Sequence, residues 1–353
     1  MKAYRYRLPA EWEPQSGVQL TWPHRDTDWA PMLDEVLTVY HALAREISLR
    51  EPLLVVAPEG GAPGMVHVCC PTNDTWARDH GFISLTPNPS PKERGVDSLL
   101  LDFRFDGWGG KFPAELDNAI NRRLFDVGAV KGKYAGHLDF VLEGGSIESD
   151  GKGTIFTTTS CLLDPRRRAW RGQTQTTDGG QTEASKEEIE EKLCEWLCAE
   201  RVLWIDHGYL AGDDTDGHID TLVRICPDDT LLYISCDDPA DEHYEELRLM
   251  EEQLCTFRTT DGRPYRLLPL PLPHPIYDDG ERLPATYANF LVINGAVLVP
   301  TYAQPDLDAE ALRIIGEAFP DRDIVGIDCR PLIRQHGSLH CCTMQFPEGV
   351  IRE

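Results

Sequence analysis

Apolar residues recur at the three-to-four spacing of a helix face in five stretches of the chain. Residues 34–48 place Val36, Leu37, Tyr40, Leu43 and Ile47 on one side. Residues 114–124, 185–198, 241–254 and 307–319 follow the same rule, the last stopped by Pro320. The third has the clearest start, because Ser185 and Glu188 have capping-box spacing and Ile189, Leu193, Trp196 and Leu197 then share a face. Four of the five are followed by a short apolar run that reads as a strand: 53–57, 202–205, 265–270 and 324–327. Pro269 confines the third of these to a sheet edge. After the second helix the strand is poorly marked and is placed at 125–130. Further strands precede the helices at 98–103, 155–159 and 231–235, and as the pair 290–293 and 296–300.

The pattern is a strand–strand–helix–strand unit used five times, with helix centres roughly 55 to 80 residues apart and no visible sequence identity between units. It predicts an α/β fold in which small mixed sheets ring a central cleft. The competing architecture is a doubly wound sheet, but Gly107, Gly109 and Gly110 around Trp108 lack the G-x-G-x-x-G spacing of its phosphate loop. Two low-complexity stretches, 86–97 and 166–184, read as surface loops or partly disordered insertions. Periodic structure resumes in the same style after each, so residues 1–353 are expected to form a single domain.

Composition narrows the function classes. With 41% hydrophobic and 26% charged residues among 353, a sizeable core is expected. A net charge of −25 argues against nucleic acid and anionic membrane as partners, because phosphate contacts need clustered Lys and Arg. The same charge suits a cationic ligand, and equally it serves solubility. Residues 1–16 are charged, carry Pro9 and Pro14, and do not resemble a signal peptide. No run reaches the roughly 18 apolar residues of a membrane span. The 11 cysteines are scattered, without any Cys-x-x-Cys, and Cys69-Cys70 and Cys341-Cys342 lack zinc-site spacing. Reduced cytoplasmic thiols are expected, without a structural zinc site.

Four clusters could carry chemistry. Gly212-Asp-Asp-Thr-Asp-Gly-His-Ile-Asp220 runs into the strand-like 221–225, and alternation along a strand would put His218 and Asp220 on one face. Such a pair is a general base, a metal ligand set or a surface ion pair, and a calcium loop would need a following Glu that is missing. Asn73-Asp-Thr-Trp-Ala-Arg-Asp79 follows the strand-like 66–70, where loops serve sites; an Arg–Asp pair under a Trp is also an ordinary structural unit. Leu142-Glu143-Gly144-Gly145-Ser146 allows close backbone approach to a ligand, or simply a tight turn. His336-Gly-Ser-Leu-His340-Cys341-Cys342 offers a nucleophile beside a histidine, although most cysteines in such a chain are small buried hydrophobes.

Together, and in this order, Asn73–Asp79, Glu143-Gly-Gly145, Asp216-Gly-His-Ile-Asp220 and Gly337-Ser-Leu-His-Cys341 resemble the signatures of the agmatine deiminases. These stand with the bacterial-type peptidylarginine deiminases inside the guanidino-group-modifying (pentein) superfamily. Thr21-Trp-Pro23, Trp108-Gly-Gly110, Leu162-Leu163 and Tyr287-Ala-Asn-Phe290 extend the resemblance over essentially the whole chain.

The resemblance implies a five-bladed α/β propeller with its active site at the centre. It also implies hydrolysis of a small cationic guanidino substrate in putrescine synthesis, without cofactor or metal; the oligomeric state is left open. By similarity, Asp79 and Asp220 grip the edges of the guanidinium. Cys341 attacks its carbon, and His218 protonates departing ammonia and then activates water. Glu143 orients His218, and Trp76 walls the planar group with a cation–π attraction of about 1 kcal/mol.

Two departures from the usual pattern concern the substrate end. Asp214 stands where Glu is typical for meeting the distal ammonium, and is one methylene shorter. His336 and Ser338 replace a Gly and an Asn of Gly-Gly-Asn-Ile-His-Cys. Cys342 is expected on the strand face opposite Cys341. The alternatives are deimination of peptidyl-arginine or another guanidino compound, a metal hydrolase built on His218 and Asp220, and a non-catalytic cation-binding protein on the same scaffold.

Overall fold

The computed structural model describes residues 5–59, 66–88, 97–168, 174–175, 181–182 and 184–352, without the side chains of 168, 174–175 and 181–182. Most of the two low-complexity stretches, at 89–96 and 169–183, therefore lies outside the described residues or their side chains.

Five three- or four-stranded sheets share one order: an antiparallel pair, then a helix, then a parallel strand. In the simplest, Leu291–Ile293 turns through Gly295 into Ala296–Thr301, helix Pro305–Ala318 crosses over, and Asp323–Asp328 returns parallel. Val223–Cys226, Thr230–Ser235 and Arg266–Pro271 repeat this around helix Tyr244–Leu254. Ile147–Ser149, Thr154–Thr158 and Arg201–Ile205 do so around helix Lys186–Trp196. Ile83–Pro87, Leu99–Arg104 and Lys133–Val141 form the fourth, with Tyr6–Arg7 added at its edge. The fifth joins the chain ends: Thr343–Pro347 runs antiparallel to Gln15–Thr21, which pairs parallel with Leu53–Ala57 after helix Leu33–Ser48. Among the described residues no sheet closes on itself.

The reason for the unit is local. A parallel return needs a crossover, and an amphipathic helix supplies one while burying its stripe on the sheet it has just left. Val36, Tyr40, Leu43 and Ile47 do this in the first helix, and Ile189 and Leu193 in the third. The Ser185–Glu188 capping box forms as the spacing requires, with both reciprocal bonds present. Arg266–Pro271 is an edge strand, which accommodates Pro269. Among the described residues no disulfide forms. Among the described residues no helix is long and apolar enough to cross a membrane.

Several sequence expectations are corrected. Residues 125–130 are not a strand: Phe125 and Asp126 are the last residues of helix Ile120–Asp126, positive-φ Gly128 follows, and the strand is Lys133–Val141. The second helix starts later than 114, because Asp117 turns its carboxylate back onto the Asn73 and Asp74 amides and opens a 3-10 turn at Asp117–Ala119. The stretch 166–184 is not wholly surface loop, since Arg167 is fully buried.

Gly17 marks the bulge where Gln15–Thr21 meets the C-terminal strand. Its φ is +147°, and a Cβ there would lie 2.3 Å from the Pro52 carbonyl oxygen. Gly17→Ala is expected to cost about 1–3 kcal/mol of stability through overpacking, read as a lower midpoint in urea unfolding.

Candidate active site

Loops that leave different sheets converge on a cavity of about 310 Å³ lined by Asp28, Asp74, Trp76, Asp79, Trp108, Phe112, Asp214, Thr215, Arg334, Gln335, His336, Gly337 and Cys341. The Cys341 turn is stapled in place from two sides. Its carbonyl accepts from the Arg78 amide at 3.1 Å, and Asn289 Oδ1 accepts from the amides of His340 at 2.9 Å and Cys341 at 3.4 Å. Asn289 Nδ2 then donates to Cys341 Sγ at 3.3 Å. Cys341 and Cys342 precede the strand Thr343–Pro347 and sit in a turn, so strand alternation is not what separates them. They diverge nonetheless, Cys342 facing the Tyr40 hydroxyl in the core.

His218 and Asp220 are likewise not on a strand. His218 caps a 3-10 turn, Ile219–Thr221, and the turn rather than period-two alternation brings both residues inward. Thr215 makes the turn by accepting the His218 amide at 3.1 Å. Asp79 Oδ1 lies 3.7 Å from His218 Nδ1 and accepts the Gly145 amide at 3.1 Å. Its other oxygen accepts from Trp108 Nε1 at 3.0 Å. Trp108 reaches this point from a loop of left-handed residues, itself at φ +57° between Gly107 and Gly109. Gly145 is required where it stands: a Cβ would lie 2.6 Å from His218 Nδ1 and 2.9 Å from Asp79 Oδ1. Trp76 packs beneath Gly337, whose Cβ would strike its ring at 2.2 Å, and anchors its indole on Asp74 at 3.0 Å.

All four predicted segments therefore meet. Glu143 differs in detail from its expected part. One carboxylate oxygen, the Cys161 sulfur and a His218 nitrogen lie within 4.8 Å of one another, while Glu143 Oε1 accepts from Arg167 Nε at 2.8 Å. Arg167 also donates to the Thr215 carbonyl at 2.8 Å, tying the histidine loop to the acid. Asp214 lines the cavity half-exposed, 4.0 Å from His336 Nδ1. Its backbone oxygen accepts from Lys111 Nζ at 2.5 Å.

Charge sets the resting protonation states. Burial opposes the charged form of His218, but Asp79, then Cys161 and Glu143, raise it to about 10, so the ring is a cation at neutral pH. Cys341 is pushed well above an ordinary thiol by burial and by the Asp220 and Asp79 carboxylates, so it is protonated. Burial raises Asp79 as well, with His218 opposing and Asp220 adding to the rise. Asp220 is held low: burial is outweighed by a hydrogen bond from His340, then by the charges of His340 and His218. Asp220 Oδ1 and both His218 ring nitrogens are among the buried polar atoms left without a hydrogen-bond partner among the described residues.

Glu143, Cys161 and His218 have metal-ligand proximity, as do Glu11, Glu148 and His340. In each set an arginine already occupies the carboxylates: Arg167 on Glu143, and Arg224 on Glu11 and Glu148. A smaller cavity of about 70 Å³ lies against Arg78, Glu11 and His340 but is not lined by Cys341. Asn289, Cys161, Arg167, His340 and Glu11 were given no role from sequence. Asn289 was signalled only as part of Tyr287-Ala-Asn-Phe290, and Arg167 is indistinguishable by sequence within its arginine run.

The sequence matches the Porphyromonas-type peptidyl-arginine deiminase family over residues 7–347. A Porphyromonas gingivalis protein of known structure, provisionally described as an arginine deiminase, is 50% identical with a TM-score of 0.88, covering 99% of this chain and 100% of its own. A Cys-to-Ser variant of C. jejuni agmatine deiminase with substrate bound is 34% identical with a TM-score of 0.87, covering 100% of this chain and 99% of its own. The agmatine deiminase of Pseudomonas aeruginosa (strain LESB58) is 31% identical over 384 residues, 98% of this chain and 96% of that protein.

Gly145→Ala is expected to leave the protein folded, because the clash falls on two side chains and not on backbone. Displacing His218 and Asp79 by even an ångström should lower turnover of a guanidino substrate at least ~100-fold. Thermal unfolding and ammonia release, measured on the same preparation, check both halves.

Proposed function

The chain belongs to the Porphyromonas-type peptidyl-arginine deiminase family, and from that premise we propose that it hydrolyses the guanidinium of agmatine to N-carbamoylputrescine and ammonia through a covalent intermediate on Cys341. The observation that carries this reading is the orphaned acceptor Asp220 Oδ1, fully buried beside a buried sulfur and a second carboxylate. A buried charged oxygen without a donor is costly, and a guanidinium brings planar N–H edges that supply one.

The mechanism follows from the resting charges. Burial and two carboxylates keep the thiol protonated; a cation entering between the carboxylates cancels their field, so the Sγ proton leaves to solvent as the cation enters and the thiolate faces the guanidinium carbon. Asn289 Nδ2 is placed to stabilise that sulfur by hydrogen bonding. Sγ–C bond formation gives a tetrahedral adduct. His218, already cationic, donates its proton to the departing nitrogen, which leaves as ammonia and yields an S-amidino thioether. Neutral His218 then takes a proton from water as the oxygen attacks, and collapse expels Sγ and leaves the urea group of the product. Glu143 and Asp79 hold the imidazole charge through the first step. Trp76 and Trp108 wall the reacting plane.

Agmatine suits the rest of the cavity. Asp28, Asp74 and Asp214 line it, while Arg334, the one arginine lining it among the described residues, is engaged by Asp278 at 2.8 Å and Glu35 at 3.4 Å. Such a lining favours a second positive charge over the carboxylate of free arginine. Asp214 serves the distal ammonium in this reading. Arginine, free or in a peptide, is the second reading, favoured by the description of the 50%-identical P. gingivalis protein. The five sheets are the blades of a propeller around this cavity, and the chain is one catalytic domain. That arrangement accounts for the shared sheet order and for the closure of the chain ends in one sheet.

Wild-type protein should release ammonia from agmatine well above its rate with arginine or a blocked arginine peptide. The reverse preference would replace the substrate assignment. Cys341→Ala should lose at least ~1000-fold in turnover while agmatine binding, followed by calorimetry, persists; retained turnover would eliminate the covalent route.

The protonation states give a pH test. Because the thiol lies above its ordinary range, labelling of Cys341 by neutral iodoacetamide should be slow at pH 7 and rise about tenfold per pH unit. A cationic haloacetamidine should react far faster at the same pH. Rapid labelling by the neutral reagent at pH 7 would show that the resting thiol is already ionised.

A further inference from the structure

We infer that His340 is the positioning residue that keeps Asp220 ionised and turned toward the substrate, and that Glu11, from the N-terminal segment, locks His340 in that role. This rests on the reading of Asp220 as a guanidinium ligand.

His340 is enclosed between two carboxylates. Its Nδ1 lies 2.7 Å from Asp220 Oδ2, and its Nε2 lies 2.7 Å from Glu11 Oε2. A carboxylate can only accept, so Nδ1 donates to Asp220, while Nε2 faces Glu11 and also Arg224 Nη2 at 3.2 Å. The bond to Oδ2 decides which oxygen of Asp220 is spent, and it leaves Oδ1 without a partner. Rotation of the carboxylate would exchange the two oxygens, and nothing but the imidazole bonds the Asp220 carboxylate among the described residues. Asp220 is fully buried, so without an adjacent donor it would take up a proton and cease to attract a cation.

The lock on the ring is equally specific. Glu11 is nearly buried, and Oε2 also accepts from Arg224 Nη2 at 3.0 Å and faces Arg78 Nη2 at 3.8 Å. Its Oε1 accepts the Val292 amide at 2.8 Å, which fixes the carboxylate plane. Arg224 continues to Glu148 at 2.6 Å. In this array Asp220, Glu11 and Glu148 face Arg78, Arg224 and the imidazole of His340. Removing the imidazole takes away the donor on the buried Asp220 carboxylate, which Asp220 relieves most simply by protonation. The backbone of His340 is pinned by Asn289 at 2.9 Å, and the next residue is Cys341, so one turn sets both the sulfur and the oxygen that receives the substrate.

The test is the pH dependence of agmatine turnover by His340→Leu, His340→Asn and Glu11→Gln. The charged or titratable groups facing Asp220 are His218, His340, Asp79, Arg78, Arg224 and Cys341. Only the His340 contact is altered directly in the first two variants. A hydrogen bond to a buried charge is worth about 1.5–3 kcal/mol, so His340→Leu should raise KM roughly 10- to 100-fold with a much smaller fall in kcat at high pH. Its kcat/KM profile should lose activity at a higher pH on the acid side. His340→Asn retains a donor at the Nδ1 position and should recover most of KM and the acid limb. Glu11→Gln should move the same limb in the same direction by less.

An unmoved KM and acid limb in folded His340→Leu would overturn the inference, as would failure of His340→Asn to rescue. If the leucine variant does not fold, Glu11→Gln and His340→Asn decide alone, and a wild-type acid limb in Glu11→Gln overturns it. Should wild type not turn over agmatine, the proposed function fails separately. Calorimetric titration with methylguanidinium then supplies the readout, and equal affinity for wild type and Glu11→Gln sinks the positioning role.

Discussion

Taking charge out of water is the constraint on which this site depends. A buried ion costs several kcal/mol unless another charge or a set of hydrogen bonds replaces its hydration, so buried ions come in compensated groups. Two such groups flank the cavity. Arg167 neutralises Glu143 and reaches Asp216 at 3.1 Å. Arg224, Arg78 and His340 neutralise Glu148, Glu11 and Asp220. Among the described residues Asp79 has only the His218 cation at 3.7 Å and two neutral donors. Around Cys341 the compensation is incomplete, and it is incomplete in one direction. The missing component is a cation with several N–H donors.

The fold supplies this through short units. Each sheet is too small to hold a catalytic set, but each delivers one loop or turn, so the cavity draws its parts from segments more than 250 residues apart, Trp76 and Cys341 among them. Delivery is exact where the backbone adopts conformations that side chains rarely allow. Trp108, Asp216 and His336 have φ of +57°, +62° and +63°, and all three stand in loops that line or tie the cavity. Such conformations cost about 1–3 kcal/mol each and persist only when the surroundings over-determine them. Lys111 supplies one such constraint by joining the Trp108 loop to the carbonyl of Asp214 and the carboxylate of Asp216.

Much of this was legible in the sequence, and the reasons for the failures are physical. Helix faces were read because burial imposes a period, and the capping box because its two bonds need one spacing. His218 and Asp220 were grouped by strand alternation, but the segment is a 3-10 turn that His218 caps, and the hydrogen bond its amide donates to Thr215 holds that turn. The expected strand at 125–130 followed apolar composition, but a helix end carries the same residues as a strand start. Arg167 was read as surface because charge normally implies exposure, and the exception depends on a partner 24 residues away, Glu143. The motif residues announced themselves as a set. Their supports, Asn289, Glu11 and Arg224, could not, since a residue that holds another in place needs no particular neighbour in sequence.

The same incompleteness explains how one site can be inert alone and reactive when filled. A thiol held protonated by burial and by Asp220 and Asp79 is a poor nucleophile, and the histidine beside it carries a proton to about pH 10. The thiol is not in the state for attack until a positive charge enters, whereas the histidine is already in the state for acid catalysis. The substrate's charge is therefore both what the site binds and what ionises its nucleophile, so binding energy is spent on the chemical step. A neutral isostere of the same shape would fit the walls formed by Trp76 and Trp108 and leave the sulfur protonated. On the proposed mechanism, selectivity for a cation then arises at the stage of reaction as well as of binding.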